Sequence, residues 1–163
     1  MEGQNKLFLI LENLNINYIS YEHPPLYRVE YSEKYCKEIN GAHCKNLLLQ
    51  DNKYNYYLVI ILDTKKVELK KLTKYSNGKR LSFVAAEYLE KYLCIATGCV
   101  TPFALINDYR KEIKILFDEE IMTEETVNFH PLINTETINI KIADLFKFID
   151  YCGQNYVFIK EFT

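Results

Sequence analysis

Lysine and asparagine stand side by side at the start of an apolar run in the segment GAHCKNLLL, as Lys45 and Asn46. A lysine ammonium at the rim of a pocket can meet an anionic or carbonyl oxygen, which helps a reaction that develops negative charge. A lysine at the start of a strand is also commonly a solvated side chain. The local pattern leaves both interpretations open.

A second candidate is the loop GCVTP, residues 98–102, which begins with Gly98 and ends with Pro102. Glycine permits unusual backbone angles and proline restricts the turn. Such a loop can present backbone N–H groups to a carbonyl oxygen, in the manner of an oxyanion hole. An ordinary tight turn is the more frequent meaning of this pattern.

A third candidate is the segment VNFHPLINT, residues 127–135, in which His130 stands between Phe129 and Pro131. A histidine here could be a metal ligand, a proton-transfer group or a packed ring that shapes a pocket. The residues around it do not decide among these three roles.

Metal-dependent, covalent and nucleotide-dependent chemistry find little support in the sequence. The histidines at positions 23, 43 and 130 are far apart, and neither HxxxH nor CxxC occurs. Cys44 and Cys99 could be nucleophiles in principle, but free cysteines are more often small buried apolar groups. The chain lacks GxSxG, GxGxxG and GxxxxGK[ST] motifs. We therefore expect no metal and no cofactor.

A basic segment, residues 65–80, contains many lysines and is opposed by a single acidic residue, Glu68. Such a segment is usually a solvated face, but its charge density could contact a phosphate backbone. The formal net charge of -2 argues against a protein that coats nucleic acid by charge alone, and it permits a local basic face.

The length and composition predict a single intracellular domain spanning residues 1–163. About half of the residues are apolar, as in globular proteins, and the five cysteines form no CxxC pair, which favours reduced thiols. No signal peptide is evident, and no apolar run approaches the roughly 20 residues that span a bilayer. We therefore expect a cytoplasmic protein without a membrane segment.

The elements that position these candidates follow from hydrophobic periodicity. Helices are predicted over residues 5–16, 30–39, 65–76 (capped by Asp63 or Thr64), 85–93 and 143–152. Strands are predicted over residues 17–23, 46–51, 56–62, 81–84, 112–118, 126–130, 135–142 and 156–162. Residues 97–108 are predicted as a loop leading into a strand. The pattern indicates an α/β (α+β) fold with a mixed, mostly antiparallel sheet or partial barrel flanked by helices.

Six segments, in order and across residues 4–160, resemble the YbaK-like aminoacyl-tRNA editing domains. They are EHPP, GAHCKNLLLQD, YYLVIILDTKKVELKKL, KRLSF, GCVTPFALIND and VNFHPLINTETINI. The KN pair and the NFHP motif are most similar to the free-standing alanyl-tRNA(Pro) deacylases. The resemblance implies metal-independent hydrolysis of alanine from mischarged tRNA(Pro), in a pocket too small for proline.

The resemblance also implies roles for particular residues, of which the catalytic ones are Lys45, Asn46 and Gly98. The implied substrate-binding residues are His130, Phe129, Asn128, Pro102, Val100, Ser82, Asn134 and Thr135. The basic residues Lys70, Lys71, Lys74, Lys79 and Arg80 are the candidates for contact with tRNA. The implied partners are the acceptor end of tRNA(Pro) and, as a second candidate, prolyl-tRNA synthetase, and we expect a monomer.

Two departures from the family pattern affect these expectations. Tyr27 or Arg28 takes the place of a threonine after HPP, so the loop near His23 can differ and the amino-acid preference is less determined. Gln50 replaces an arginine, which removes a positive charge from the tRNA-facing side. A deacylase for cysteinyl- or seryl-tRNA and a non-catalytic tRNA-binding homologue therefore remain alternatives.

Overall fold

An eight-stranded mixed sheet organises the protein in a computed structural model that describes residues 2–25 and 38–163. The strands are β1 (Tyr18–Glu22), β2 (Ala42–Gln50), β3 (Tyr56–Leu62), β4 (Ser82–Phe83), β5 (Ile113–Asp118), β6 (Thr126–Phe129), β7 (Glu136–Lys141) and β8 (Tyr156–Ile159). Their order is β1-β7-β6-β2-β3-β5-β8, with β4 also paired to β2. The β2–β3, β2–β4, β1–β7 and β6–β7 pairs are antiparallel, whereas β2–β6, β3–β5 and β5–β8 are parallel. The predicted mixed, mostly antiparallel sheet is confirmed.

Short helices flank the sheet. They are α1 (Glu2–Asn13), α2 (Leu69–Leu72), α3 (Ala86–Tyr88) and α4 (Ile142–Cys152), and a π-helical turn, Leu89–Leu93, continues α3. Three segments form 3₁₀ helices: Thr73–Tyr75, Pro102–Asn107 and Glu119–Thr123. None of the helices within the described parts of the chain is long and apolar enough to cross a membrane.

Strand β3 separates two apolar cores, because its alternate residues enter different clusters. Leu58 and Ile60 join the larger cluster with α1, α4 and the 3₁₀ helix Pro102–Asn107. Val59 and Ile61 join a smaller cluster with α2 and β8. Both faces of β3 are therefore buried, as its near-continuous apolar run YYLVIIL requires.

Three of the predicted elements are wrong in part. The strand predicted over residues 46–51 begins at Ala42, so Lys45 and Asn46 lie inside β2 and not at its start. The helix expected over residues 65–76 starts only at Leu69, because the Glu68 N–H donates to the Phe162 carbonyl and the Lys65 ammonium is held by Asp118. Residues 102–107 form a 3₁₀ helix where a loop was predicted, with Thr101 as its N-cap and Pro102 at its first turn. The helix predicted over residues 30–39 falls largely outside the described residues.

Candidate functional site

Strands β2 and β6 run side by side over two residue pairs and then part, and we call the gap beyond their last pair the cleft. Their parallel pairing joins Ala42 to Val127 and His43 to Asn128, and it ends there. Continued for two more residues, the same register would place Lys45 beside His130. The separation therefore leaves these two residues on opposite banks of one cleft.

Gly41 allows β2 to enter this close to β6. Its φ is +91°, and a Cβ atom at this position would lie 2.6 Å from the Thr126 carbonyl oxygen. Any other residue would collide with the backbone of the neighbouring strand. The approach of the two strands, and so the position of the cleft, depends on this glycine.

The loop before the 3₁₀ helix fills the gap between the separated strands. Asn46 Nδ2 donates to the Val100 carbonyl oxygen at 3.0 Å, which attaches the loop to β2. On the other bank, Thr101 Oγ1 donates to the His130 carbonyl oxygen at 2.9 Å. The structure thus joins Asn46, the 98–102 loop and His130, which the sequence analysis had singled out in three distant segments. The Lys45 side chain contacts the Asp63 carbonyl oxygen instead.

Lys45 and Asn46 leave β2 on opposite faces, because side chains alternate along a strand. Lys45 shares the face of His43, whose pairing partner on β6 is Asn128. Its ammonium donates to the Asp63 carbonyl oxygen at 3.1 Å and is otherwise accessible to solvent. The lysine is therefore held at the mouth of the cleft with its positive charge uncompensated by any salt bridge among the described residues.

Asn46 carries an unused acceptor. Its Oδ1 atom is buried and finds no hydrogen-bond donor in the described chain. A buried carbonyl oxygen without a donor costs free energy, on the order of 1–3 kcal/mol. The atom is therefore available to a ligand group that donates hydrogen bonds, such as an ammonium.

Backbone N–H groups in the loop are also available. The N–H groups of Gly98, Val100 and Thr101 have no acceptor within residues 2–25 and 38–163. Gly98 has a φ of +85°, and a Cβ there would meet open space. The glycine is needed for the left-handed backbone conformation and not for room, and this conformation shapes the loop that carries the free donors.

His130 is a half-buried neutral imidazole with a defined tautomer. Its Nδ1 lies 2.9 Å from the Glu136 carbonyl oxygen, which can only accept, so Nδ1 carries the hydrogen. Burial lowers the pKa of His130 below its ordinary value, the nearby His23 lowers it further, and the Glu136 contact opposes both. The Nε2 lone pair is therefore available near neutral pH, and no described residue donates to it.

His23 and Thr137 belong to this site, although the sequence analysis did not include them among its site residues. His23 Nε2 lies 2.9 Å from Thr137 Oγ1, which is 3.3 Å from His130 Nδ1. The two imidazole rings are 5.6 Å apart. The pairing of β1 with β7 brings them together, since Glu22 lies opposite Glu136. The sequence signals for His23 were its position at the end of the predicted strand 17–23 and its place in the segment EHPP.

Three of the predicted substrate-binding residues have side chains that pack in the interior or bond to neighbouring strands. Phe129 and Pro102 are buried, and the Phe129 ring packs edge to face on Phe103 at 6.1 Å. Asn128 donates to the Ala42 carbonyl oxygen and accepts from Asn139, so its amide joins neighbouring strands. A direct contact of these three residues with substrate stays a prediction.

The remaining predicted substrate-binding residues lie at two places. Asn134 and Thr135 are in the half-buried turn after His130, and the Thr135 carbonyl oxygen accepts from the His23 N–H at 3.0 Å. Ser82 is exposed and pairs with Gln50 at the far end of β2, so the structure does not bring it to the cleft.

The cysteines considered as nucleophiles are poorly suited to that role. Burial, with a smaller effect of Asp63, raises the pKa of Cys44 far above its ordinary value. Burial also raises the pKa of Cys99. Both side chains are therefore thiols and weak nucleophiles near neutral pH. The described residues also contain no group of three His, Cys, Asp or Glu side chains placed to hold a metal ion.

The predicted tRNA-contacting residues differ in how free their charges are. Lys79 pairs with the buried Asp51 at 3.1 Å and Lys71 pairs with Glu68 at 3.0 Å. Lys70 and Arg80 are exposed and form no ion pair with any described residue. Lys74 donates to the Lys160 carbonyl oxygen. Tyr27 and Arg28, the departures from the family pattern, lie outside the described residues.

Comparison with known proteins agrees with this arrangement. The model of the aminoacyl-tRNA editing domain matches residues 23–148, which include both banks of the cleft and the loop between them. The chain belongs to the aminoacyl-tRNA editing domain family. The resemblance drawn from the six sequence segments is thereby confirmed.

Relatives of this editing domain include proteins from bacteria and vertebrates. Prolyl-tRNA editing protein ProX of Acetoanaerobium sticklandii is 33% identical over 157 residues, covering 96% of this chain and 96% of that protein. Prolyl-tRNA synthetase associated domain-containing protein 1 of Xenopus laevis is 32% identical over 162 residues, covering 96% and 95%. A solved structure of a candidate trans-editing enzyme for prolyl tRNA synthetase shares the fold, with a TM-score of 0.73 at 16% identity over 99% of this chain and 98% of that one.

Proposed function

We propose that this protein is a trans-editing hydrolase that removes alanine from mischarged tRNA(Pro) by attack of water on the aminoacyl ester. The observation that carries the proposal is the 98–102 loop, which bonds to Asn46 on β2 and to His130 after β6 and carries backbone N–H groups without an acceptor in the described residues. The names of the relatives ProX and prolyl-tRNA synthetase associated domain-containing protein 1 support the choice of tRNA(Pro).

The charge that develops on the ester carbonyl oxygen is stabilised by Lys45 and the loop. An attacking water converts the carbonyl oxygen into an oxyanion, and preorganised donors stabilise that charge. Lys45 supplies an ammonium at the mouth of the cleft, and the N–H groups of Gly98, Val100 and Thr101 supply neutral donors. An aminoacyl ester is already activated, so the reaction needs neither a metal ion nor a covalent intermediate.

Asn46 and His130 orient the substrate and the water. The buried Oδ1 of Asn46 accepts a hydrogen bond from the ammonium group of the aminoacyl moiety, which satisfies the otherwise unpaired oxygen. The Nε2 lone pair of His130 accepts a hydrogen bond from the attacking water. Holding both reactants in one cleft removes much of the entropic barrier to their encounter.

Size selects the amino acid. Val100 and Pro102 of the loop, with the buried Phe129, are the residues to which we assign a pocket that admits a methyl side chain and excludes the ring of proline. A synthetase pocket built for proline discriminates only weakly against the smaller alanine, and a second, smaller pocket corrects the error. The editing domain spans residues 1–163 and acts as a cytoplasmic monomer on the acceptor end of tRNA(Pro), with prolyl-tRNA synthetase as a second partner.

The test is deacylation of tRNA(Pro) charged separately with alanine, cysteine, serine or proline. Rapid loss of alanine with retention of proline is the expected result. Lys45→Ala should lower kcat about 100-fold or more, since removal of one oxyanion-stabilising donor has an effect of that order. Lys141→Ala, at an exposed lysine on β7 outside the cleft, is the matched control and should keep wild-type kinetics.

The other outcomes of this test distinguish the alternatives. Preferential loss of cysteine or serine would retain the hydrolysis and reassign the pocket. Stability of all four esters in the presence of bound tRNA would replace the enzyme with a non-catalytic tRNA-binding protein. An active Lys45→Ala variant would remove the lysine from the mechanism.

A further inference from the structure

A surface groove of about 650 Å³ lies near the carboxyl-terminal end of β2, away from the cleft. Two exposed aromatic side chains line it, Tyr54 on the β2–β3 turn and Phe83 on β4. They are 72% and 61% exposed, although neighbouring Leu81 is buried. Large rings that stay in solvent beside an available core contribute little to folding, which points to a role in binding.

The backbone at Tyr54 strengthens this argument. Its φ of +60° lies in the left-handed region, which glycine and asparagine adopt easily and a tyrosine adopts at a cost. Buried Asp51 holds the turn in place by accepting from the backbone N–H groups of Lys53 and Asn55. Glycine at position 54 would relieve this backbone cost and remove the exposed ring.

The groove is positively charged. Arg80 lines it, is exposed and has no ion-pair partner among the described residues, and the same holds for Lys53 on the turn. The acidic residue of the lining, Asp51, is buried and paired with Lys79 at 3.1 Å. A partner of this groove should therefore combine flat apolar surfaces with negative charge.

We propose that the groove binds unpaired nucleotides of the RNA substrate, with bases stacked on Tyr54 and Phe83 and a phosphate near Arg80. Bases stack on exposed aromatic rings regardless of their sequence, and cations beside the rings attract the phosphates. This inference rests on the proposed function, since it assigns a second contact to the same tRNA.

The position of the groove fits a strand of RNA that continues into the cleft. Lys45, Leu47 and Leu49 project from one face of β2, and Phe83 pairs with Leu49, so its ring is on that face as well. At about 3.3 Å per residue, Leu49 lies about 13 Å along the strand from Lys45. Leu47 and Leu49 themselves are packed in the smaller apolar cluster, so an RNA end bound at Phe83 and Tyr54 would reach Lys45 along the rim of that cluster.

Phe83→Trp provides a direct optical test, because the chain contains no tryptophan and the new indole would be the sole one. A short single-stranded RNA ending in CCA should quench its fluorescence, as stacking on a base requires. A fully paired RNA duplex should quench it far less. Equal quenching by the duplex, or quenching only by an acidic peptide such as polyglutamate, would overturn the proposal.

Tyr54→Gly separates binding from folding, because it removes the ring and relieves the left-handed backbone. We expect unchanged or higher thermal stability and about ten-fold weaker binding of tRNA(Pro), the order of effect of losing one stacked base. Tyr54→Phe should restore binding, since it keeps the ring. Tyr151→Ala removes an exposed ring of α4, outside the groove, and should bind as the wild type does.

Kinetics distinguish failure of this inference from failure of the proposed function. If the groove binds RNA, Tyr54→Gly raises KM for alanyl-tRNA(Pro) about ten-fold and leaves kcat nearly unchanged. A wild-type protein that hydrolyses the ester, with a Tyr54→Gly variant of equal KM, overturns the groove alone. A wild-type protein without hydrolysis overturns the proposed function, and the fluorescence titration still decides the groove.

Discussion

Three neighbours determine the protonation of His130. The Glu136 carbonyl oxygen fixes the hydrogen on Nδ1, and His23 faces the ring through Thr137 Oγ1. Burial, the largest influence, lowers the pKa of His130. The side chain is thus kept as a hydrogen-bond acceptor at Nε2 over the neutral range, which is the form that the proposed reaction uses.

The pH dependence of deacylation should reflect this protonation. We expect kcat/KM to stay constant from about pH 8 down to the ordinary histidine pKa of about 6.5, and to fall only at lower pH, where the imidazole gains a proton. His130→Gln should lose about 100-fold in kcat and lack this acidic limb. A pH–rate profile of both proteins from pH 5 to about 8 is the measurement. An identical acidic limb in the variant would assign it to another group.

The free energy of unfolding should also depend on pH through the protonation of His130. Because the folded pKa of His130 lies below the unfolded value, the unfolded chain binds more protons in the interval between them. Stability is therefore retained above the unfolded pKa of about 6.5 and falls as the pH drops below it, until the folded pKa is reached. Urea unfolding at neutral and mildly acidic pH should show a smaller loss for His130→Gln than for the wild type.

At the scale of elements, the site depends on how two strands separate and what fills the gap. Gly41 brings β2 against β6, and the pairing ends at His43 and Asn128. The loop before the 3₁₀ helix then bridges the banks through Asn46 and Thr101. The Thr101 hydroxyl makes two contacts. It donates to the His130 carbonyl oxygen, and it accepts from the Phe103 N–H and so caps the 3₁₀ helix.

Thr101→Val tests this bridge, because valine keeps the shape of the side chain and removes the hydroxyl. We expect about 1 kcal/mol lower stability from the lost cap and bridge. The kcat for alanyl-tRNA(Pro) should fall about ten-fold, because the loop donors move relative to His130. Thr123→Val removes an exposed hydroxyl that bonds to the Glu120 carbonyl oxygen and is the control. Equal loss of kcat in both variants would argue against a specific bridge.

At the scale of the whole molecule, a slightly acidic protein must still approach an anionic RNA. The net charge is -2. Lys70 on α2 and Arg80, close to the start of β4, are nevertheless exposed and form no ion pair among the described residues. Local charge of this kind can steer and bind a polyanion even when the total charge is negative.

Charge reversal measures this contribution. The double variant Lys70→Glu and Lys71→Glu should weaken tRNA(Pro) binding and reduce the slope of log K against log salt by roughly 0.7–0.9 for each lost phosphate contact. Lys141→Glu changes an exposed lysine on β7 and should leave the slope unaltered. Binding titrations across a range of salt concentrations provide the comparison. An unchanged slope in the double variant would exclude α2 from the RNA-binding face.

Local patterns were sufficient for most of the fold. Apolar runs and alternation predicted all the strands, since these signals lie within a few neighbouring residues. The helix over residues 65–76 was predicted too long, because Glu68 and Lys65 are held by partners far along the chain. Lys45, Asn46, Gly98 and His130 were recognisable because their segments resemble a known family.

The spatial relations among those residues required the folded chain. The parallel pairing of β2 with β6 ends two residues before Lys45 and His130, and the pairing of β1 with β7 brings His23 beside the His130 ring. Ser82 lies apart from the cleft for the same reason, since it pairs at the far end of β2. Strand pairing joins backbone groups that are distant along the chain and nearly independent of side-chain identity, so no short segment of sequence records which strands meet or where they part.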